Sequence, residues 1–132
     1  MPSNNPAQRL LDILGNIKAI GDFTAGMDFE DFVSNLQTLY AVTRALEIIS
    51  EASRRLPDDL KSRHSNLDWI AIAAAGNVYR HEYETVDDAL IWHTVKHSLD
   101  ELGYAVRVEL DRLGNLPTDM VRDRPHPNWC SI

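Results

Sequence analysis

The chain has 132 residues, 44% of them hydrophobic and 25% charged, which suits one soluble globular domain with a core of its own. A formal charge of −7 argues against broad, non-specific nucleic-acid binding, so contact with RNA or DNA is expected in a local pocket or through a basic partner. The single cysteine, Cys130, excludes an internal disulfide and fits a reducing cytoplasm.

No apolar run approaches the ~20 residues of a membrane span, and Met1-Pro2-Ser3-Asn4-Asn5-Pro6 lacks the basic start and apolar run of a signal peptide. Pro6 suits the first position of a helix, with Asn5 as its cap. Leu10, Ile13, Leu14, Ile17 and Ile20 then recur at helical spacing, and Gly21 is expected to end the run. Residues 22–27 read as a loop. Asp28 can cap a second helix with Phe29, Phe32, Leu36, Leu39, Thr43, Leu46 and Ile49 on one stripe, stopped ahead of Pro57. That helix would span about 29 residues, roughly 43 Å.

A short helical turn is expected from Asp58 to Arg63, then a helix capped by Asp68 and beginning at Trp69. It leads into Gly76-Asn77-Val78-Tyr79-Arg80-His81-Glu82-Tyr83, the densest group of side chains able to move protons or grip phosphate. On a helix Asn77 and His81 share a face, and Gly76 and Arg80 a neighbouring one. His81 is the natural proton carrier, because imidazole titrates near neutrality; a histidine at a helix end can equally cap carbonyls. Thr85 and Asp88 resemble a capping box. Ala89, Trp92, Val95, Leu99, Leu102, Val106, Leu110 and Leu113 mark a last long helix, closed by Gly114-Asn115 in a left-handed cap. The pattern predicts an all-α, up-and-down helical bundle over residues 1–115, with two long helices and shorter ones. An irregular tail, 116–132, contains Pro117, Pro125, Pro127, Trp129 and Cys130.

Several features admit two readings. His93, His97 and Glu101 have a spacing that can bind zinc, but they stand off the apolar stripe and suit a solvated face better. His64 joins Lys61, Arg63, Arg54 and Arg55 in a basic cluster that could touch RNA phosphate, although a solvated helix end is the plainer expectation. Trp129 either marks a contact or packs on its own bundle, and Cys130 has no base near it in sequence.

In order and spacing, several segments together resemble the HepT-like toxins of the HEPN superfamily. They are Arg9-Leu10-Leu11-Asp12-Ile13-Leu14, Phe29-Glu30-Asp31-Phe32 and the run from Ala41 to Ala52, followed by Trp69, His81-Glu82-Tyr83 and Val86 to Trp92. The likeness covers Arg9 to about Leu113. It implies a homodimer that cleaves RNA without metal or other cofactor. It also implies a nucleotidyltransferase antitoxin as partner, which silences the toxin by AMP transfer to a tyrosine. Residue by residue, it makes His81 the catalytic histidine, Asn77 its polar neighbour and Tyr83 the modified tyrosine. The sequence departs from the family pattern at Gly76, where the motif arginine is expected. Two alternatives follow: Arg80 supplies the missing charge, with Arg44 and Glu51 as possible supporting residues, or the site is altered or inert.

The chemistry fits such an arrangement. Metal-free cleavage uses the 2′-hydroxyl as nucleophile, so one group must remove its proton and another must protonate the leaving oxygen. Two copies of His81 in one dimer cleft would fill both roles.

Overall fold

A computed structural model describes residues 6–74 and 88–114, and every described element is helical. The elements are α1 (Ala7–Phe23), α2 (Phe29–Val33), α3 (Leu36–Arg54), α4 (Asp58–Ser62) and α5, helical over 69–74. The last run comprises α6 (Asp88–His93), a π-helical turn (Thr94–Ser98) and α7 (Leu99–Arg112). It continues without a break from Asp88 to Arg112. The expected all-α bundle is what the structure shows. Asn5, residues 75–87 and the tail from 115 lie outside the described residues, and so does the boundary drawn at 115/116.

The centre of the bundle is α1, which packs on α3 and α7. All five residues of its expected stripe, Leu10, Ile13, Leu14, Ile17 and Ile20, are buried, because i, i+3, i+4 spacing puts them on one face. They meet Val42, Ala45, Leu46, Ile49 and Ala52 of α3 and Leu99, Leu102, Val106 and Leu110 of α7 in one core. Truncating a side chain buried this deeply costs about 2–5 kcal/mol.

Gly21 does not end α1. The helix runs through it to Phe23, and Thr24 closes it with its own N–H and hydroxyl, both donated to the Ile20 carbonyl at 3.0 and 2.8 Å. The chain turns at Gly26 instead, whose φ of 76° is the left-handed conformation that favours glycine.

The expected 29-residue helix from Asp28 is two helices. Asp28 does start one, with a reciprocal capping box to Asp31. Ser34 then closes it, its hydroxyl donating to the Glu30 and Asp31 carbonyls. Asn35 opens α3 from an extended backbone, its side chain accepting from the Thr38 N–H at 3.0 Å. Short polar side chains offer the backbone these local alternatives, and two in succession outweigh a continuing apolar pattern. The break also resets the phase. Phe32 is wholly buried, whereas Leu36, on the expected stripe, is 59% exposed, as is most of Tyr40.

Farther on, Pro57 separates α3 from α4, and Asp68 caps α5 by accepting from the Ala71 N–H, both as expected. Gly114, at φ 71°, donates to the Asp111 carbonyl and closes α7. The π-helical turn is a feature that periodicity did not predict. It inserts a residue into the helix and keeps Ile91, Val95 and Leu99 all turned inward.

Candidate functional site

The candidate catalytic residues Asn77, Arg80 and His81, the candidate modified tyrosine Tyr83, and Gly76 all lie outside the described residues. What the structure does describe is the approach to them. Residues 69–74, which lead into that segment, are held against α3 by two side chains. The Ser50 hydroxyl donates to the Ile72 carbonyl at 2.8 Å, and the Arg54 guanidinium donates to the Ala73 carbonyl at 3.0 Å. Below the first contact lies a small apolar cavity of about 60 Å³, lined by Leu46, Ile49, Ile72 and Leu102 together with Thr94 and Ser98 of the π-helical turn.

Arg44 and Glu51, the two supporting residues proposed from sequence, fall on a neighbouring face of α3. The structure brings them into one groove of about 300 Å³ between α1 and α3, with Arg9, Asp12, Glu47 and Arg55. Arg44 pairs with Glu47 at 3.2 Å. Glu51 receives Arg54 at 3.2 Å and Arg55 at 3.0 Å, and Asp12 accepts from the Gln8 amide at 2.9 Å. Among the described residues, no hydrogen bond or ion pair engages Arg9. The α3 members of this groove were legible in sequence as a second 3–4 spaced stripe, at 44, 47, 48, 51 and 55. That Arg9 and Asp12 face them was not, because it depends on how α1 packs.

The basic cluster expected around His64 is a solvated helix end only in part, with Arg54, Arg55 and Arg63 exposed and His64 largely covered. Arg54 and Arg55 turn to Glu51, while Arg63 and His64 turn inward to Glu109, whose side chain is only 3% exposed. Arg63 grips that carboxylate with two N–H groups, at 2.8 Å to Oε1 and 3.2 Å to Oε2, and His64 Nε2 stands 2.7 Å from the same Oε2. Arg112 approaches at 3.5 Å. The Arg63 hydrogen bonds, helped by His64, hold the Glu109 carboxyl below its ordinary range against the opposing effect of burial. Reciprocally, the bonds from Glu109 raise Arg63 above its usual value. The Trp69 indole N–H donates to the His64 and Lys61 carbonyls, at 3.1 and 3.2 Å, so the same knot fixes the start of α5. Glu109 escaped the sequence reading because it sits among apolar positions of α7, 45 residues from its histidine partner.

His93 and His97 are exposed, their rings stacked 4.6 Å apart, and Glu101 is exposed beside them on the solvated face expected for them. Among the described residues, no group of three His, Cys, Asp or Glu side chains is placed to hold a metal ion. Nor is any described helix long and apolar enough to cross a membrane.

An all-α bundle with a narrow charged groove beside its first long helix defines a small helical-domain class. Comparison with known proteins narrows it. The family described as ribonuclease HepT-like matches residues 13–108, and the chain belongs to that family. It is 41% identical over 93 residues to the "probable ribonuclease HepT" of Thermococcus cleftensis, covering 70% of this chain and 84% of that one. A "putative RNase" of Methanocaldococcus jannaschii is 33% identical over 102 residues, with 77% and 88% covered. Another of that name, from Caldanaerobacter subterraneus, is 34% identical over 107 residues, with 81% and 96% covered. No solved structure matches the chain.

Proposed function

We propose that the chain is a metal-independent endoribonuclease, the toxin of a type VII-like pair, acting as a cytoplasmic homodimer. The observation that carries this reading is the family match over 13–108, a range that includes Asn77, His81 and Tyr83. In the reaction the 2′-hydroxyl attacks the adjacent phosphorus and the 5′-oxygen leaves. One His81 imidazole takes the first proton, and its copy on the second protomer gives a proton to the leaving oxygen. Arg80 then stabilises the charge on the five-coordinate phosphorus, in place of the arginine that Gly76 lacks. The partner is a nucleotidyltransferase antitoxin. It directs the Tyr83 hydroxyl to the α-phosphorus of ATP, releasing pyrophosphate and leaving a bulky anion that repels RNA.

Purified protein in chelator is expected to cut single-stranded RNA, with His81→Ala lowering the rate by about 10²–10⁴-fold. Cleavage unchanged in His81→Ala would overturn the assignment. Gly76 favours a second reading, in which the chain is an inert binding subunit and modification substrate of the transferase. That reading predicts no cleavage by wild-type protein, together with AMP mass on the peptide containing Tyr83 after incubation with ATP, magnesium and active transferase.

A further inference from the structure

We propose that the groove between α1 and α3 holds the backbone of the RNA substrate, with Arg9, Arg44 and Arg55 as its phosphate contacts. The inference rests on the ribonuclease reading and adds a binding surface to it. A chain of net charge −7 repels nucleic acid at most of its surface, so a binding surface must be a local exception. This groove is one. The carboxylates of Glu47 and Glu51 that line it are neutralised by arginines of the same helix, and Asp12 is hydrogen-bonded to Gln8. Three arginines thus balance three carboxylates here, and the cations stay accessible: the paired Arg44 side chain is 72% exposed and that of Arg55 56%, while the Arg9 side chain has no ionic or hydrogen-bonding partner among the described residues.

The geometry suits a strand rather than a compact anion. Arg44 and Arg55 are eleven residues apart on one helix, about 16 Å along its axis, with Arg9 facing them from α1. The groove is also tied to α5. Its Arg55 end shares Glu51 with Arg54, and Arg54 bonds the Ala73 carbonyl, three residues ahead of Gly76 in the chain.

The test uses the full chain and a single-stranded RNA oligomer 2′-O-methylated throughout, which binds but offers no nucleophile. Log affinity is measured against log salt concentration. Arg9→Gln, Arg44→Gln and Arg55→Gln are each expected to weaken binding several-fold and to flatten the salt slope by about 0.7 per lost contact. The matching lysine variants should keep the slope. On cleavable RNA, Arg9→Gln and Arg55→Gln should raise KM with kcat nearly unchanged. A purely structural role for these arginines would move neither the slope nor its rescue by lysine. Wild-type slopes in all three variants of a protein that still cuts RNA would overturn this inference alone. A changed oligomeric state with an unchanged slope would overturn it in favour of an interface between copies. A wild-type protein that neither binds nor cuts RNA would fell the ribonuclease reading itself, and this inference with it.

Discussion

Two charged regions of this molecule use the same residue types to opposite ends. At the α1–α3 groove, arginines and carboxylates pair along one helix surface in water. At the Glu109 knot, Arg63 and His64 from the end of α4 join Arg112, one turn on along α7, around a carboxylate within the bundle. Exposed pairs contribute little to stability, since water screens them and ordering two long side chains costs entropy. A buried carboxylate stripped of its partners is strongly unfavourable, so its partners are held firmly. The groove pairs therefore stay in contact with water, whereas the knot joins α7 to the chain ahead of α5. Both touch α5, one through Arg54 and Ala73, the other through Trp69.

The contrast can be broken most directly at Glu109. Glu109→Ala is expected to destabilise the fold by about 2–3 kcal/mol, below the usual cost of splitting a buried pair because the Arg63 left behind reaches solvent. A denaturant titration would measure it, and a Tm drop of roughly 8–12 °C should accompany it. A loss no greater than for groove variants would remove the distinction between the two regions.

A smaller effect concerns acid. The folded-state pKa of Glu109 lies below its ordinary value of 4.5, so its contribution is complete above that value and fades as pH falls through the depressed one. Glu109→Gln, which keeps the shape and loses the charge, should be less stable than wild type by about 1–2 kcal/mol at neutral pH. The gap should close as the pH falls below 4.5. Arg63, His64 and Arg112 all face the carboxylate. A gap that stays constant down to the acid transition would refute the assignment.

The smallest effect is expected in the groove. A double-mutant cycle between Arg44 and Glu47 should give a coupling of about 0.3–0.5 kcal/mol, falling with added salt. A coupling several times larger would mean that this pair, too, is a structural lock, and would count against the groove as a ligand site.

What the sequence by itself determined was whatever depends on neighbours within a turn or two of helix. The α1 stripe, the caps at Asp28 and Asp68, the stop before Pro57 and the left-handed turn at Gly114 all follow from i, i+3 and i+4 geometry or from single-residue backbone preference. The family match spans the segment with Asn77, His81 and Tyr83, which sequence alone had singled out for chemistry. Even the break at Ser34-Asn35 was written locally, but the apolar pattern running across it masked the two polar residues. Only the tertiary structure decided which charges meet. Arg9 joins Arg44 because α1 packs on α3, and Glu109 finds Arg63 and His64 because α7 folds back beside the loop after α4. A glutamate in an apolar stretch looks the same in sequence whether it faces water or two cations. Burial and partnership are properties of the packed bundle, set by contacts more than 40 residues apart, and no local pattern encodes them.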